Sequence, residues 1–499
     1  MLRVSNYING ELTAPAAGRY LENVDPSTGR VYSQVPDSDG DDVEQAVAAA
    51  ERAFAQWSTT PAAERSRIML QIADLIEQRL EEFARAECVD NGKPLSLARC
   101  LDIPRAVQNF RFFATAILYT HSQTHVTDGA ALNYTLRSPR GIVGLISPWN
   151  LPLYLLSWKV APALATGNTI VAKPSEVTPM TAYLLSQVCR QAGLPAGVLN
   201  IVHGPGASAG AAITAHRKIT TISFTGGTVT GREIAKAAAP LFKKVSLEMG
   251  GKNPTIVFAD AAMDQAIEQS LRAAFANQGQ VCLCGSRIFV EQAAYDAFLE
   301  PFVAAAKALK VGDPLEAETD QGALVSKAQL EKVCHYVNLA REEGGEILCG
   351  GAPPPPISNR CKGGFFYQPT VVTGLGADCR VNQEEIFGPV ATIMPFRSED
   401  EVLAYANGTP YGLSASLFTQ YLGRAHRLAQ RIEAGTVWIN CWLLRDLRVP
   451  FGGMKQSGLG REGGEEALRF FTEPKNVCLA VGECETVSKQ GRAASEPRQ

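Results

Sequence analysis

The thiol of Cys282 lies in FANQGQVCLCGSR (275–287), a stretch with no acidic residue. Thiolate is the reactive form of cysteine and nearby negative charge opposes it, so the local sequence favours a nucleophile. A helical run over 263–276 ends in a glycine-containing loop that presents this thiol. Cys284 follows two positions on, and a CxC pair is otherwise two inert buried thiols or half of a metal site. The chain has only six histidines. His121 and His125 are four apart but share no clear helix, so no metal set is expected. Glu248 stands in LEMGGKNP after the strand-like KKVSL, among apolar residues and glycines that turn it toward a crevice. Asn150, in SPWNLP, is an uncharged amide between two prolines. It suits a turn or a fixed donor to a developing oxyanion. In FTGGTVTGRE, Gly226 to Gly231 form a GxxxxG spacing between a strand and a helix. Arg232–Glu233 follow where a Walker loop has Lys–Ser/Thr, yet a helix N-terminus there still suits a dinucleotide phosphate. A thiol and a base alone would also suffice for a cysteine hydrolase.

The elements that hold these residues have a clear order. Apolar residues recur at helical spacing over 42–54, 64–85 and 103–119, with charges between them. From Gly141 the pattern changes. GIVGLIS, TIVAKP, GVLNIVHG and TTISFTG are short apolar runs ending in Gly or Pro, separated by helical stretches at 180–192 and 231–239. This alternation predicts an α/β chain with a parallel sheet covered on both faces. Ligands of such sheets sit beyond the carboxyl ends of the strands. A second alternating block runs over 250–440 and contains a turn-rich surface loop at 350–364; the end of the chain, 487–499, is polar.

Composition narrows the function classes. The 47 basic and 50 acidic residues nearly cancel, which gives no electrostatic footprint for nucleic acid. Segment 141–158 is uncharged but interrupted by Pro148 and Pro152, so a membrane span is not expected. Twelve scattered cysteines without a CxxC pair suit free thiols in a cytoplasmic protein.

Together the segments resemble the aldehyde dehydrogenase family, from Tyr7–Ile8–Asn9–Gly10 to Phe471. The resemblance is carried by SPWNLP, VAKPSE (171–176), FTGG, LEMGGKNP, NQGQVC (277–282), EEIFGPV (384–390) and PFGGMKQSGLGRE (450–462). It implies an α/β aldehyde dehydrogenase fold. A Rossmann-like NAD-binding domain would span 1–118 and 139–249, and an α/β catalytic domain 250–449. A small β oligomerisation arm would span 119–138 and 465–484, with a tail at 485–499. A homodimer or homotetramer is implied as well.

The resemblance also implies roles. Cys282 attacks the aldehyde, the Asn150 side chain and the Cys282 backbone N–H hold the oxyanion, and Glu248 activates the water that hydrolyses the thioester. NAD accepts the hydride. Its implied contacts are Ser147, Pro148, Trp149, Lys173, Ser175, Glu176, Gly206, Gly210, Phe224, Thr225, Gly226, Gly227, Met249, Glu385 and Phe387. Lys173 and Glu176 match the adenosine-ribose positions, where a carboxylate repels a 2′-phosphate and favours NAD over NADP. Glu385 and Phe387 match the nicotinamide ribose and ring positions. Gly227 departs from the Ser usual after FTG. Relatives that hand the acyl group to coenzyme A generally lack the hydrolytic glutamate, and non-catalytic relatives tend to lose the nucleophile; neither loss occurs here.

DIPRAVQNFRFFA, SPWNLPLYLLSWK and NCWLLRDLRVPFGG resemble the branch that oxidises 2-aminomuconate semialdehyde and 2-hydroxymuconate semialdehyde. Each of these substrates carries a carboxylate at one end and an aldehyde at the other. Arg105 and Arg445 are the expected carboxylate clamp, with Asn150, Leu151, Tyr154 and Trp158 lining the substrate tunnel. The competing reading pairs Arg445 with Asp446 and leaves the clamp to Arg111 or Arg448.

Overall fold

The runs that read as buried strands form them. Ile142–Ile146, Thr169–Lys173, Leu199–Ile201, Ile219–Thr225 and Lys244–Glu248 lie parallel at the centre of an eight-stranded sheet. The first three have no exposed residue, as strands covered on both faces require. The computed structural model describes residues 1–481. Asn6–Ile8 and Glu11–Thr13 extend one edge of this sheet, and Gly458–Leu459 closes the other against Lys244–Glu248. Strands of two or three residues are too short to show a period, and the sequence offers no sign of them.

A second, seven-stranded sheet is built from 254–439. Its centre is Val390–Phe396, Arg287–Glu291, Pro254–Val257 and Ser414–Phe418, again parallel. Only Glu346–Cys349 runs antiparallel, at an edge.

Two helical expectations change. The pattern over 64–85 is two helices, Ala62–Gln78 and Leu80–Asn91, broken at Arg79 (φ −102°, ψ 21°). A one-residue break leaves the apolar spacing nearly in phase, so periodicity alone cannot show it. The helix after FTGG spans Thr228–Ala238 and begins three residues before the expected start at Gly231. Gly231 sits inside its first turn, where a Cβ would lie 2.3 Å from the Met249 sulfur.

Thr124–Thr127, Ala131–Pro139 and Thr472–Ala480 form a three-stranded antiparallel sheet. Among the described residues of the second expected arm segment, 465–481, only Thr472–Ala480 is strand. Gly464–Phe470 is a helix whose Ala467, Leu468 and Phe470 join the largest apolar core. Glu465 and Glu466 in its first turn and Arg469 in its last complement the helix dipole. Residues 482–484 of the expected arm and the tail 485–499 lie outside the described residues. Among the described residues, no helix is long and apolar enough to cross a membrane.

Candidate active site

The register of the first sheet aligns Ile146 with Lys173, Phe224 with Ile146, and Thr225 with Glu248. The turns that follow these strands therefore gather at one edge. They open a cavity of about 250 Å³ lined by Asn150, Glu248 and Cys282, with Pro148, Trp149, Thr225, Gly226, Gly227, Met249, Glu385 and Phe387. Leu155, Gly250, Gln329 and Lys332 also line it.

The thiol loop is strained and held from outside. Asn277 (φ +52°), Gln278 (φ +56°) and Gly279 (φ +70°) are consecutive left-handed residues. Such conformations cost roughly 1–3 kcal/mol each for non-glycine residues, so the surroundings must impose them. Asn277 Nδ2 donates to the carbonyls of Asn150 and Gln280, and Gln278 Nε2 to that of Ala323. A Cβ on Gly279 would lie 2.1 Å from the Gly388 carbonyl oxygen, so only glycine fits. Asn253 Nδ2 then fastens the carbonyls of Cys282 and Cys284 at 2.8 and 2.9 Å.

Cys282 is half-buried, and its thiol pKa is pushed up to about 12, first by burial and then by Glu385 and Glu248. Two acids distant in the chain supply the negative charge the segment lacks. Cys284 is buried and likewise raised to about 12 by burial. Among the described residues no group of His, Cys, Asp or Glu could hold a metal.

Glu248 ends the strand Lys244–Glu248 with 4% exposure, and neither carboxylate oxygen has a hydrogen-bond partner. Burial, and then the charge of Glu462, raise its pKa well above the usual carboxylate range. A buried carboxyl with free lone pairs facing a cavity is a proton acceptor in waiting. A Cβ on Gly452 would come within 2.7 Å of Glu248 Oε1, so that glycine makes room for the acid. Asn150 is 3% exposed and donates one amide proton to the Gln280 carbonyl at 3.0 Å. An amide has two such protons, which leaves one for a ligand.

Of the other coenzyme candidates, Ser147, Lys173, Ser175, Glu176, Gly206, Gly210 and Phe224 do not line this cavity. Lys173 donates to Pro174 and Gly204 carbonyls and to Glu176 at 3.0 Å. Glu176 also accepts the Gly206 backbone N–H at 3.4 Å. Gly210 lies beside the Lys173 chain, where a Cβ would make an ordinary contact at 3.5 Å. The Ser175 hydroxyl accepts from Val177, Phe224 packs beneath Gly226, and Ser147 is buried with an unpartnered hydroxyl. Gly227 is the N-cap of Thr228–Ala238, and a Cβ there meets nothing within 4 Å. The missing Ser side chain therefore leaves open space at that helix end. Phe387 (φ +61°) is held left-handed by Gln329, whose amide donates to the Ile386 and Phe387 carbonyls. Its ring meets Trp149 edge-on at 5.2 Å.

A second cavity of about 360 Å³ is lined by Arg105, Gln108, Arg111, Phe112, Arg445, Asp446, Leu447 and Arg448. The expected rivalry for Asp446 is decided: Arg448 takes it, through both its Nε and Nη2. Arg111 pairs with Asp74 and Glu77. Arg105 lies 5.6 Å over Tyr154, and Arg445 lies 3.9 Å over Phe451 and 5.9 Å from Trp158. Among the described residues neither has a carboxylate partner. Leu151, at the N-cap of Pro152–Ala165, and Tyr154 and Trp158 within that helix are buried, and none of these three expected tunnel residues lines either cavity.

Sequence reasoning missed Asn253, Gln329 and Lys332. GKNP carried the first by its asparagine beside a proline; the other two lie on a helix, Lys327–Glu342, with no motif of its own.

Comparison with known proteins agrees with this geometry. The Aldehyde dehydrogenase family pattern matches residues 13–477. The chain is 50% identical over 480 residues to the 2-aminomuconic semialdehyde dehydrogenase of Danio rerio, covering 96% of this chain and 98% of that one. It is 47% identical over 487 residues to the 2-hydroxymuconic semialdehyde dehydrogenase of Pseudomonas sp. CF600, covering 96% and 100%. The NAD+ complex of an aldehyde dehydrogenase from Bacillus cereus superposes with a TM-score of 0.93 at 41% identity, covering 96% and 97%.

Proposed function

The chain belongs to the aldehyde dehydrogenase family, and from that membership we propose NAD-dependent oxidation of a carboxylated, unsaturated semialdehyde to the dicarboxylic acid. The substrates are 2-aminomuconate semialdehyde and 2-hydroxymuconate semialdehyde, for which close relatives are named. The observation that carries the substrate class is the cavity where Arg105 and Arg445 lack any carboxylate partner. Both guanidiniums are half-exposed at this cavity and free of ion pairs, so an anion entering it meets two available cations. The substrate carboxylate is that anion.

The residues present fit NAD. The open N-terminus of Thr228–Ala238 at Gly227 suits a pyrophosphate. Glu176, beside Lys173, suits ribose hydroxyls. Glu385 reaches into the main cavity past Gly250, where a Cβ would lie 2.2 Å from its carboxylate. NAD, when bound, supplies the hydride acceptor.

Cys282 adds to the aldehyde carbon, and the thiol proton leaves the site as the C–S bond forms. The oxyanion is held by the free Asn150 amide proton and the Cys282 backbone N–H, each donor lowering the barrier by about 3 kcal/mol. Loss of hydride leaves a thioester on Cys282. Glu248 then removes a proton from water, which attacks the thioester and releases the acid and the thiol. Burial raises its pKa above the usual carboxylate range, which makes the ionised carboxylate a stronger base. The presence of Glu248 favours hydrolysis over transfer to a second thiol, and the complete set disfavours a silent protein of the same fold.

We further infer a homodimer or homotetramer assembled through the three-stranded arm. Its strands expose Val126, Leu136 and Leu479, which a second copy would cover. The eleven free cysteines of the described residues support a cytoplasmic setting.

The decisive experiment follows NADH formation on 2-hydroxymuconate semialdehyde, benzaldehyde and acetaldehyde. The muconic compound should have much the largest kcat/KM. Equal turnover of benzaldehyde would remove the substrate assignment and leave the dehydrogenase.

A further inference from the structure

Three side chains converge on one backbone oxygen, the carbonyl of Asn150. Lys93 Nζ donates to it at 3.0 Å, Asn277 Nδ2 at 3.1 Å and Asn91 Nδ2 at 3.5 Å. Asn91 also donates to the neighbouring Trp149 carbonyl at 2.9 Å. A carbonyl has two lone pairs, so this exceeds what backbone satisfaction needs.

Lys93 is wholly buried. Its ammonium has three protons and three acceptors: the Asn150 carbonyl, Asp102 at 2.5 Å and Glu87 at 3.4 Å. The other oxygen of Glu87 accepts the Leu153 backbone N–H at 3.4 Å. One buried cluster thus grips the turn 149–153 from behind. Taking one ammonium and two carboxylates out of water is expensive, and burial pushes both carboxyls up. Apolar packing would serve stability as well. The charged cluster instead lies against the turn whose Asn150 side chain enters the main cavity beside Cys282.

We propose that Lys93 is a positioning residue for aldehyde oxidation. Its hydrogen bond to the Asn150 carbonyl fixes the peptide plane, and so the direction in which the Asn150 amide points relative to Cys282. The carbonyl and the side chain share one Cα, so holding the first restricts the second. Lys93 does not touch substrate. The proposal rests on Asn150 being the oxyanion donor. Misplacing such a group by about 1 Å costs on the order of 100-fold in rate.

A double-mutant cycle tests it, because only coupled residues fail to add. Lys93→Met is made alone and with Asn150→Ala, and NADH formation is followed in a single turnover alongside NAD affinity. Lys93→Met/Asp102→Asn repeats the cycle with the cluster's net charge unchanged, and carries the test if the single variant does not fold. Asn150→Ala should slow the turnover about 10²–10³-fold. Loss of Lys93 should slow it about tenfold when Asn150 is present, under twofold when it is absent, and leave NAD affinity unchanged. A tenfold loss in both backgrounds, or none in either, would overturn the positioning role. Full activity of Asn150→Ala would instead overturn the reading of Asn150, and the positioning role with it.

Discussion

Arg105→Gln separates recognition of the substrate carboxylate from the chemistry at Cys282. Arg105 faces the second cavity, rests over Tyr154 at 5.6 Å, and forms no ion pair among the described residues, Asp446 on the same cavity being held by Arg448. A hydrogen bond to a charged group contributes roughly 1.5–3 kcal/mol. Since about 1.4 kcal/mol is tenfold, kcat/KM for 2-hydroxymuconate semialdehyde should fall about 10- to 100-fold. Benzaldehyde has no carboxylate and should change by less than about twofold. Arg445→Gln should behave differently. The Arg445 charge also lowers the pKa of both Cys282 and Glu248. Removing a cation disfavours both anionic forms, so the acidic limb of the pH profile should move to higher pH for every aldehyde. The assay is the initial rate of NADH formation at saturating NAD across pH, with both aldehydes and both variants. Equal loss on benzaldehyde in Arg105→Gln would show that the residue supports the fold and not the carboxylate. No loss on either aldehyde would place the carboxylate elsewhere.

Three further outcomes are expected. Glu248→Gln should slow turnover about 10²–10⁴-fold with acyl-enzyme accumulating, visible by intact-mass measurement. The same change should raise Tm at neutral pH. A carboxyl whose folded pKa is raised adds stability below its unfolded value near 4.5, and that stability is lost as pH rises through the folded value. The gain in Tm should therefore shrink toward acid pH, and a lower Tm at neutrality would contradict the burial argument. For Cys282, with its thiol pushed up to about 12, iodoacetamide labelling of the coenzyme-free enzyme should rise about tenfold per pH unit between about pH 7 and about pH 9. A plateau in that window would mean that some group lowers the thiol. Finally, if Glu176 holds the adenosine ribose as proposed, Glu176→Gln removes the carboxylate that would repel a 2′-phosphate, and the NADP/NAD ratio of kcat/KM should rise about tenfold; an unchanged ratio would move coenzyme choice to other residues.

Much of this protein is a property of local sequence. Buried parallel strands are short apolar runs, so GIVGLIS, TIVAKP and TTISFTG announce their sheet without any partner being known. The order of SPWNLP, LEMGGKNP and NQGQVC is likewise local, and it singles out Asn150, Glu248 and Cys282, which the fold does bring to one cavity. Partner choice is not local. Arg445 sits next to Asp446 in the chain, yet Arg448 takes that acid, its Nε reaching Oδ1 and its Nη2 reaching Oδ2. The segment around Cys282 has no acid, yet Glu385 and Glu248 press on the thiol through space. Nothing near SPWNLP suggests that Lys93 and Asn277 grip the Asn150 carbonyl. Apolar periodicity acts along the chain, where neighbours are given. Charge, desolvation and hydrogen bonding act across space, where only the folded backbone decides who the neighbours are.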